Sequence, residues 1–172
     1  MISPKIKLLQ ADITTLQVDA IVNAANNSLM GGGGVDGAIH RAAGPEMTKE
    51  CRALKGCATG HSKITKGYRL PAKFIIHTVG PVWNNGTQQE EELLASCYKT
   101  SLQLAMEHGI RSIAFPSIST GAYRFPFDKA GKIAIQTINE FLKENETIDE
   151  VLLVCFSEND LKQYTRIWNA LE

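Results

Sequence analysis

The run Ala20-Ile21-Val22-Asn23-Ala24-Ala25-Asn26-Asn27-Ser28-Leu29-Met30-Gly31-Gly32-Gly33-Gly34-Val35-Asp36-Gly37 decides how the rest of the chain is read. It opens on a short apolar stretch, Ala20–Asn23, suited to a strand buried on both faces. An amide-rich and glycine-rich loop follows, and then a helix from Val35 to Ala43. Four consecutive glycines lose much backbone entropy on ordering, so such a run belongs where the chain takes unusual dihedrals or passes close to a ligand. The N–H groups that open the helix would face an anion. Asn23, Asn26 and Asn27 are short amides suited to hydroxyl groups such as those of a sugar. The plainer alternative is a flexible surface loop with turn-forming asparagines.

Strand, loop and helix recur outward from this point. Ile6–Leu9, Phe74–Val79, Ser112–Phe115 and Val151–Phe156 read as further buried strands, and Lys63–Lys66 as an edge strand. Ile133, Ala134, Thr137, Ile138, Phe141 and Leu142 form one helical stripe; Leu94, Cys97, Tyr98, Ser101, Leu102 and Ala105 form another, with Gly109 placed to stop it. A last helix carries Leu161, Tyr164, Trp168 and Leu171 behind a Ser157/Asp160 start, and Pro45 and Gly56 bracket one more. Strands alternating with amphipathic helices predict an α/β chain, a three-layer α/β/α sandwich around a mixed, mostly parallel sheet, in a single domain over 1–172. Ligands of such sheets bind beyond the carboxyl ends of the strands.

Composition narrows the function. Eighteen basic and eighteen acidic residues give zero net charge, which argues against a broad electrostatic grip on nucleic acid. No segment approaches the about 20 apolar residues of a membrane span. The first residues lack the apolar region of a secretory signal, and four scattered cysteines suit free thiols, so the cytoplasm is the expected compartment. Cys51, Cys57 and His61 match no common zinc spacing, and no metal is expected. Gly32, Gly34 and Gly37 satisfy the dinucleotide fingerprint literally, but the asparagines intervene after the strand and Cys57 stands where an acidic residue belongs. A P-loop fails for want of Lys-Ser/Thr after the glycines.

A second loop, Pro116-Ser117-Ile118-Ser119-Thr120-Gly121-Ala122-Tyr123, follows the Ser112–Phe115 strand. Its hydroxyls and successive N–H groups suit a diphosphate, and Tyr123 offers a flat face to a sugar. Asp12, after the first strand, would accept from an exocyclic amine or cap a turn. Phe156, after the last, would stack on a base or extend the core.

With Ala11-Asp12-Ile13-Thr14, Val18–Asn26, Gly31–Gly44, Ile76–Pro81 and Ser117–Tyr123 in place, the chain resembles a macrodomain over essentially its whole length, and within that family the MacroD-type ADP-ribose-binding hydrolases. The resemblance implies that Asp12 bonds the adenine amino group, with the Ile13 backbone beside it and Phe156 on the ring. It implies that Ser117, Ser119, Thr120, Gly121 and Ala122 hold the diphosphate, with Gly33, Gly34 and Val35 opposite. Asn26 would bond a distal ribose hydroxyl, Tyr123 would pack on that ribose, and Asp36 would orient or activate a water; Asn26 and Asp36 are the expected catalytic pair. Many relatives carry Gly where this chain has Ala11 and Arg124, so the turn before Asp12 must form without positive φ. The Arg124 guanidinium either closes over the ligand or stands idle in solvent.

The implied activity is hydrolysis of ADP-ribosyl esters: deacetylation of O-acetyl-ADP-ribose and removal of mono-ADP-ribose from acidic side chains of modified proteins, without metal or cofactor. The alternatives are a reader that binds ADP-ribose without turnover, an ADP-ribose 1″-phosphate phosphatase, and an RNA-binding protein, which neutral charge disfavours. His40, four residues past Asp36 on the same helix face, is either catalytic or structural.

Overall fold

The computed structural model, which describes residues 1–172, holds six strands and five α-helices, alternating from the fourth strand onward. The strands are β1 (Ile6–Gln10), β2 (Ala20–Ala25), β3 (Ser62–Lys66), β4 (Phe74–Val79), β5 (Ser112–Phe115) and β6 (Glu150–Cys155). The helices are α1 (Gly34–Ala43), α2 (Pro45–Leu54), α3 (Glu90–Glu107), α4 (Phe127–Glu144) and α5 (Glu158–Leu171). The sheet order is β1-β6-β5-β2-β4-β3, parallel throughout except for the antiparallel edge pair β3–β4. This is the mixed, mostly parallel three-layer sandwich the alternation predicts. No helix is long and apolar enough to cross a membrane.

The central strands read as unbroken apolar runs because both faces are covered. Ala20 and Val22 pack with α3, α4 and α5, while Ile21 and Ala25 turn to α1 and α2. Ser157 caps α5, its Oγ accepting from the Asp160 N–H at 3.1 Å. Gly109 follows α3 in the left-handed region. At the end of α2 it is Lys55 (φ 58°), not Gly56, that holds the cap position. Because β1, β2, β4, β5 and β6 run parallel, their carboxyl ends and the loops after them share one edge.

Candidate functional site

The glycine loop forms one wall of a cleft at that edge. Leu29 is buried and plugs the loop into the α1/α2 layer. Asn26 braces the rest: its Nδ2 donates to the Gly31 carbonyl at 2.9 Å, and its Oδ1 accepts from Ser28 Oγ and the Leu29 N–H. Gly33 caps α1 with no side-chain hydrogen bond, so the first-turn amides have no side-chain acceptor. Gly32 is a close-approach position: a Cβ there would stand 3.2 Å from Asp36 Oδ2 and 3.6 Å from Asn26 Nδ2. The expected pair, Asn26 and Asp36, therefore converges on bare backbone.

The loop between β5 and α4 forms the opposite wall. Ser117 and Thr120 hydroxyls lie 2.7 Å apart, and Thr120 Oγ1 also donates to the Ser117 carbonyl. Ser119 adopts φ 67°, its carbonyl accepts from the Phe125 N–H, and its buried Oγ has no partner. Gly80, after β4, lets this loop close, since any side chain there would strike Ser119. The Tyr123 carbonyl accepts from the Trp83 N–H at 2.8 Å, and the Trp83 ring packs on Phe125 at 4.7 Å. Behind Trp83, the buried Glu90 carboxylate accepts from the N–H groups of Asn84, Gly86 and Gln88. Burial opposes its charge, but these donors prevail and hold the carboxyl below the usual range.

The space between the walls measures about 370 Å³ and is lined by Asn26, Gly33, Gly34, Val35, Asp36, Ser117, Ser119, Gly121, Ala122 and Tyr123. Ala24, Ala25, Gly32, Gly80 and Ile118 also line it; of these, the glycines directly after β4 and beside Gly33 were the detectable signal. A larger but shallow depression, about 590 Å³, lies on α5 alone and gathers no groups from other elements.

Asp36 is 5% exposed. Its Oδ1 accepts from Asn23 Nδ2 at 2.9 Å, and His40 Nε2 stands 3.4 Å away. His40 Nδ1 lies 3.3 Å from Thr48 Oγ1. Asn23 is fully buried beside His77, its cross-strand neighbour on β4. It therefore offers nothing to a ligand hydroxyl, contrary to expectation, because β2 extends through Ala25 and the pleat turns position 23 into the α1/α2 layer. Asn27 is also diverted, donating to the Cys57 carbonyl and Thr59 Oγ1. Only Asn26 of the three lines the cleft.

Asp12, Ile13, Thr120 and Phe156 lie outside that lining. Asp12 Oδ1 caps a 3-10 turn (Ile13–Thr15), accepting from the Thr14 N–H and Oγ1, which leaves Oδ2 without a protein partner. Phe156 leaves β6 beside this turn and is 81% exposed; the Ala11 N–H donates to the Cys155 carbonyl between them. Ala11 takes no positive φ, whereas Arg124 does (φ 61°) and forms no ion pair. All four cysteines are free and buried. Burial pushes the Cys51 thiol up to about 11, and its Sγ donates to Met47 Sδ. No group of three or more His, Cys, Asp or Glu side chains is arranged to hold a metal ion.

Residues 22–134 match the family model described as Macro domain. A Macro domain-containing protein of Chlorobaculum tepidum is 62% identical over 161 residues, 94% of each chain. The human protein named ADP-ribose glycohydrolase MACROD2 is 55% identical over 172 residues, 98% of this chain and 40% of that protein. Among solved structures, a glycine-to-valine mutant of the Oceanobacillus iheyensis macrodomain with ADPR superposes with a TM-score of 0.92 at 47% identity, covering 96% of this chain and 92% of that one. The Trypanosoma brucei macrodomain in complex with ADP-ribose gives 0.89 at 45% identity, covering 94% and 68%.

Proposed function

The chain belongs to the Macro domain family, and from that premise we propose that it binds ADP-ribose across the strand ends and hydrolyses ADP-ribosyl esters. Asp12 Oδ2 takes the adenine amino group, the Ile13 backbone lies beside the base, and Phe156 stacks on it. The amides of Ser119, Thr120, Gly121 and Ala122, with Ser117, hold the diphosphate from one side and those of Gly33, Gly34 and Val35 from the other. Backbone dipoles, rather than a surplus of Lys and Arg, then hold the anion in a chain of zero net charge. Asn26 and Tyr123 place the distal ribose, and Asp36 orients the water.

The observation that carries this reading is a buried carboxylate, Asp36, on the same cleft as the open amino end of α1. Binding alone would not require a carboxylate so near the reacting carbon. In the reaction, water adds across the ester and one C–O bond breaks, giving ADP-ribose and a carboxylic acid. Asp36 holds the water and draws its proton as the bond forms. A carboxylate is a modest base near neutral pH, so most of the barrier reduction falls to positioning and preorganised amides. No metal or cofactor enters these steps. The substrates are O-acetyl-ADP-ribose and mono-ADP-ribose on acidic side chains, with the exposed Gly32–Gly34 rim leaving room for a protein-borne ester. Four free thiols suit a reducing compartment such as the cytoplasm.

Asp36→Ala is expected to slow ester hydrolysis at least about tenfold while ADP-ribose affinity by titration calorimetry stays nearly unchanged, the pattern of an interaction made in the transition state. Full turnover by the variant would remove Asp36 from the mechanism. Binding of NAD without binding of ADP-ribose would overturn the ligand.

A further inference from the structure

On the α1/α2 face of the central strands β2 and β4, one cross-strand pair is polar. Among Ile21, Ala25, Ile75 and Val79, the paired positions 23 and 77 carry Asn and His, both 0% exposed. Buried polar groups are costly unless their hydrogen bonds are made, so this pair requires an account. Asn23 Nδ2 lies 2.9 Å from Asp36 Oδ1 and 3.1 Å from His77 Nδ1. His77 Nε2 lies 2.9 Å from Thr65 Oγ1, and the Thr65 hydroxyl donates to the Lys66 carbonyl at 3.1 Å.

The protons in this chain are determined by elimination. Carboxylate oxygens only accept, so the amide must present Nδ2 and not Oδ1 to Asp36. The same Nδ2 faces His77, so Nδ1 of that ring must accept. The ring proton is then on Nε2, where Thr65 Oγ1, its own proton already given to Lys66, accepts it. Cys51 Sγ, 3.7 Å from Nε2, is a weak acceptor and donates its proton to Met47. Burial, and next the neighbouring His40, lower His77 to about 4, so the ring stays neutral at neutral pH.

We infer that Thr65, His77 and Asn23 form a positioning chain that locks the Asp36 carboxylate, with Oδ1 tied inward and Oδ2 left to the cleft. This rests on the reading of Asp36 given above. None of the three lines the cleft, and Thr65 sits on the edge strand β3. Removing the Thr65 acceptor frees the ring to move its proton to Nδ1. Asn23 must then turn Oδ1 toward both neighbours, and Asp36 loses its donor.

The test combines a spectrum with kinetics. Imidazole nitrogen NMR on the unaltered protein at neutral pH is expected to show His77 protonated at Nε2 and bare at Nδ1. Thr65→Val is expected to lower kcat about fivefold or more, with KM and the ADP-ribose Kd within about twofold of the parent, while Thr65→Ser restores kcat. Asn23→Ala should reproduce the kcat loss if it folds. A proton on Nδ1, or parental kcat in a folded Thr65→Val, overturns the positioning chain. Loss of turnover in Asp36→Ala alone, with Thr65→Val unaffected, removes this inference and leaves the hydrolase reading intact. If Asp36→Ala turns over fully, Asp36 leaves the mechanism and this inference falls with it, while the hydrolysis itself stands.

Discussion

Arg124, next in sequence to the cleft-lining Tyr123, holds a left-handed backbone conformation. A side chain in that region costs about 1–2 kcal/mol, part of which glycine returns through the freedom of its unfolded state. With no ion pair to offset the strain, Arg124→Gly is expected to raise stability by roughly 0.5–1 kcal/mol in urea denaturation. A loss of stability instead would show that the guanidinium has a partner in solution. Phe156 poses the opposite problem, since 81% exposure forgoes the roughly 1.5–3 kcal/mol that burying such a ring contributes. An aromatic face left open beside the unpaired Oδ2 of Asp12 is what a stacked base would use. The sequence allowed both a core and a ligand reading of Phe156, and exposure excludes the core one.

The unit that shapes the diphosphate side is a pair of neighbouring loops, one after β4 and one after β5. Gly80 and Ser119 touch across it, and the Trp83 N–H ties the first loop to Tyr123 of the second. Gly80→Ala is expected to push Ser119 aside, lowering ADP-ribose affinity about tenfold or more by calorimetry while far-UV circular dichroism stays unchanged. Unaltered affinity would show that the second loop shapes itself without its neighbour. The strands were legible to within two residues, and the helices by their stripes more than by their ends, because apolar runs and 3.6-residue stripes are local patterns. The brace of Glu90 under Asn84–Gln88 was not, because an acidic residue at a helix start looks like ordinary macrodipole chemistry. Its burial beneath a loop emerges only when α3 packs.

Across the whole molecule, a neutral buried imidazole makes stability depend on pH. Folded His77 takes up a proton near pH 4, whereas the unfolded chain does so near 6.5. Between those values the unfolded state binds more protons, so its contribution is complete above about pH 6.5 and is lost as the pH falls toward 4. From pH 7 to pH 5 the loss is about 2 kcal/mol, and His77→Gln is expected to flatten that slope in urea titrations at the two pH values. An equal slope in parent and variant would place the dependence elsewhere. Glu90 and Asp149, both held low, act in the same direction only at more acid pH.

Sequence by itself determined the three layers and the two loops that carry the site, because strand periodicity, glycine runs and helix starts are written within a few residues; Asp36 was singled out by the resemblance those motifs carry. Tertiary structure alone decided which asparagine lines the cleft and which turns into the core. Asn23 and Asn26 are alike in type and three positions apart, yet one ends in the core and the other in the cleft. The difference is set by where β2 ends and by its register against His77, 54 residues away. Such pairings depend on how distant strands align, and no local pattern encodes that alignment.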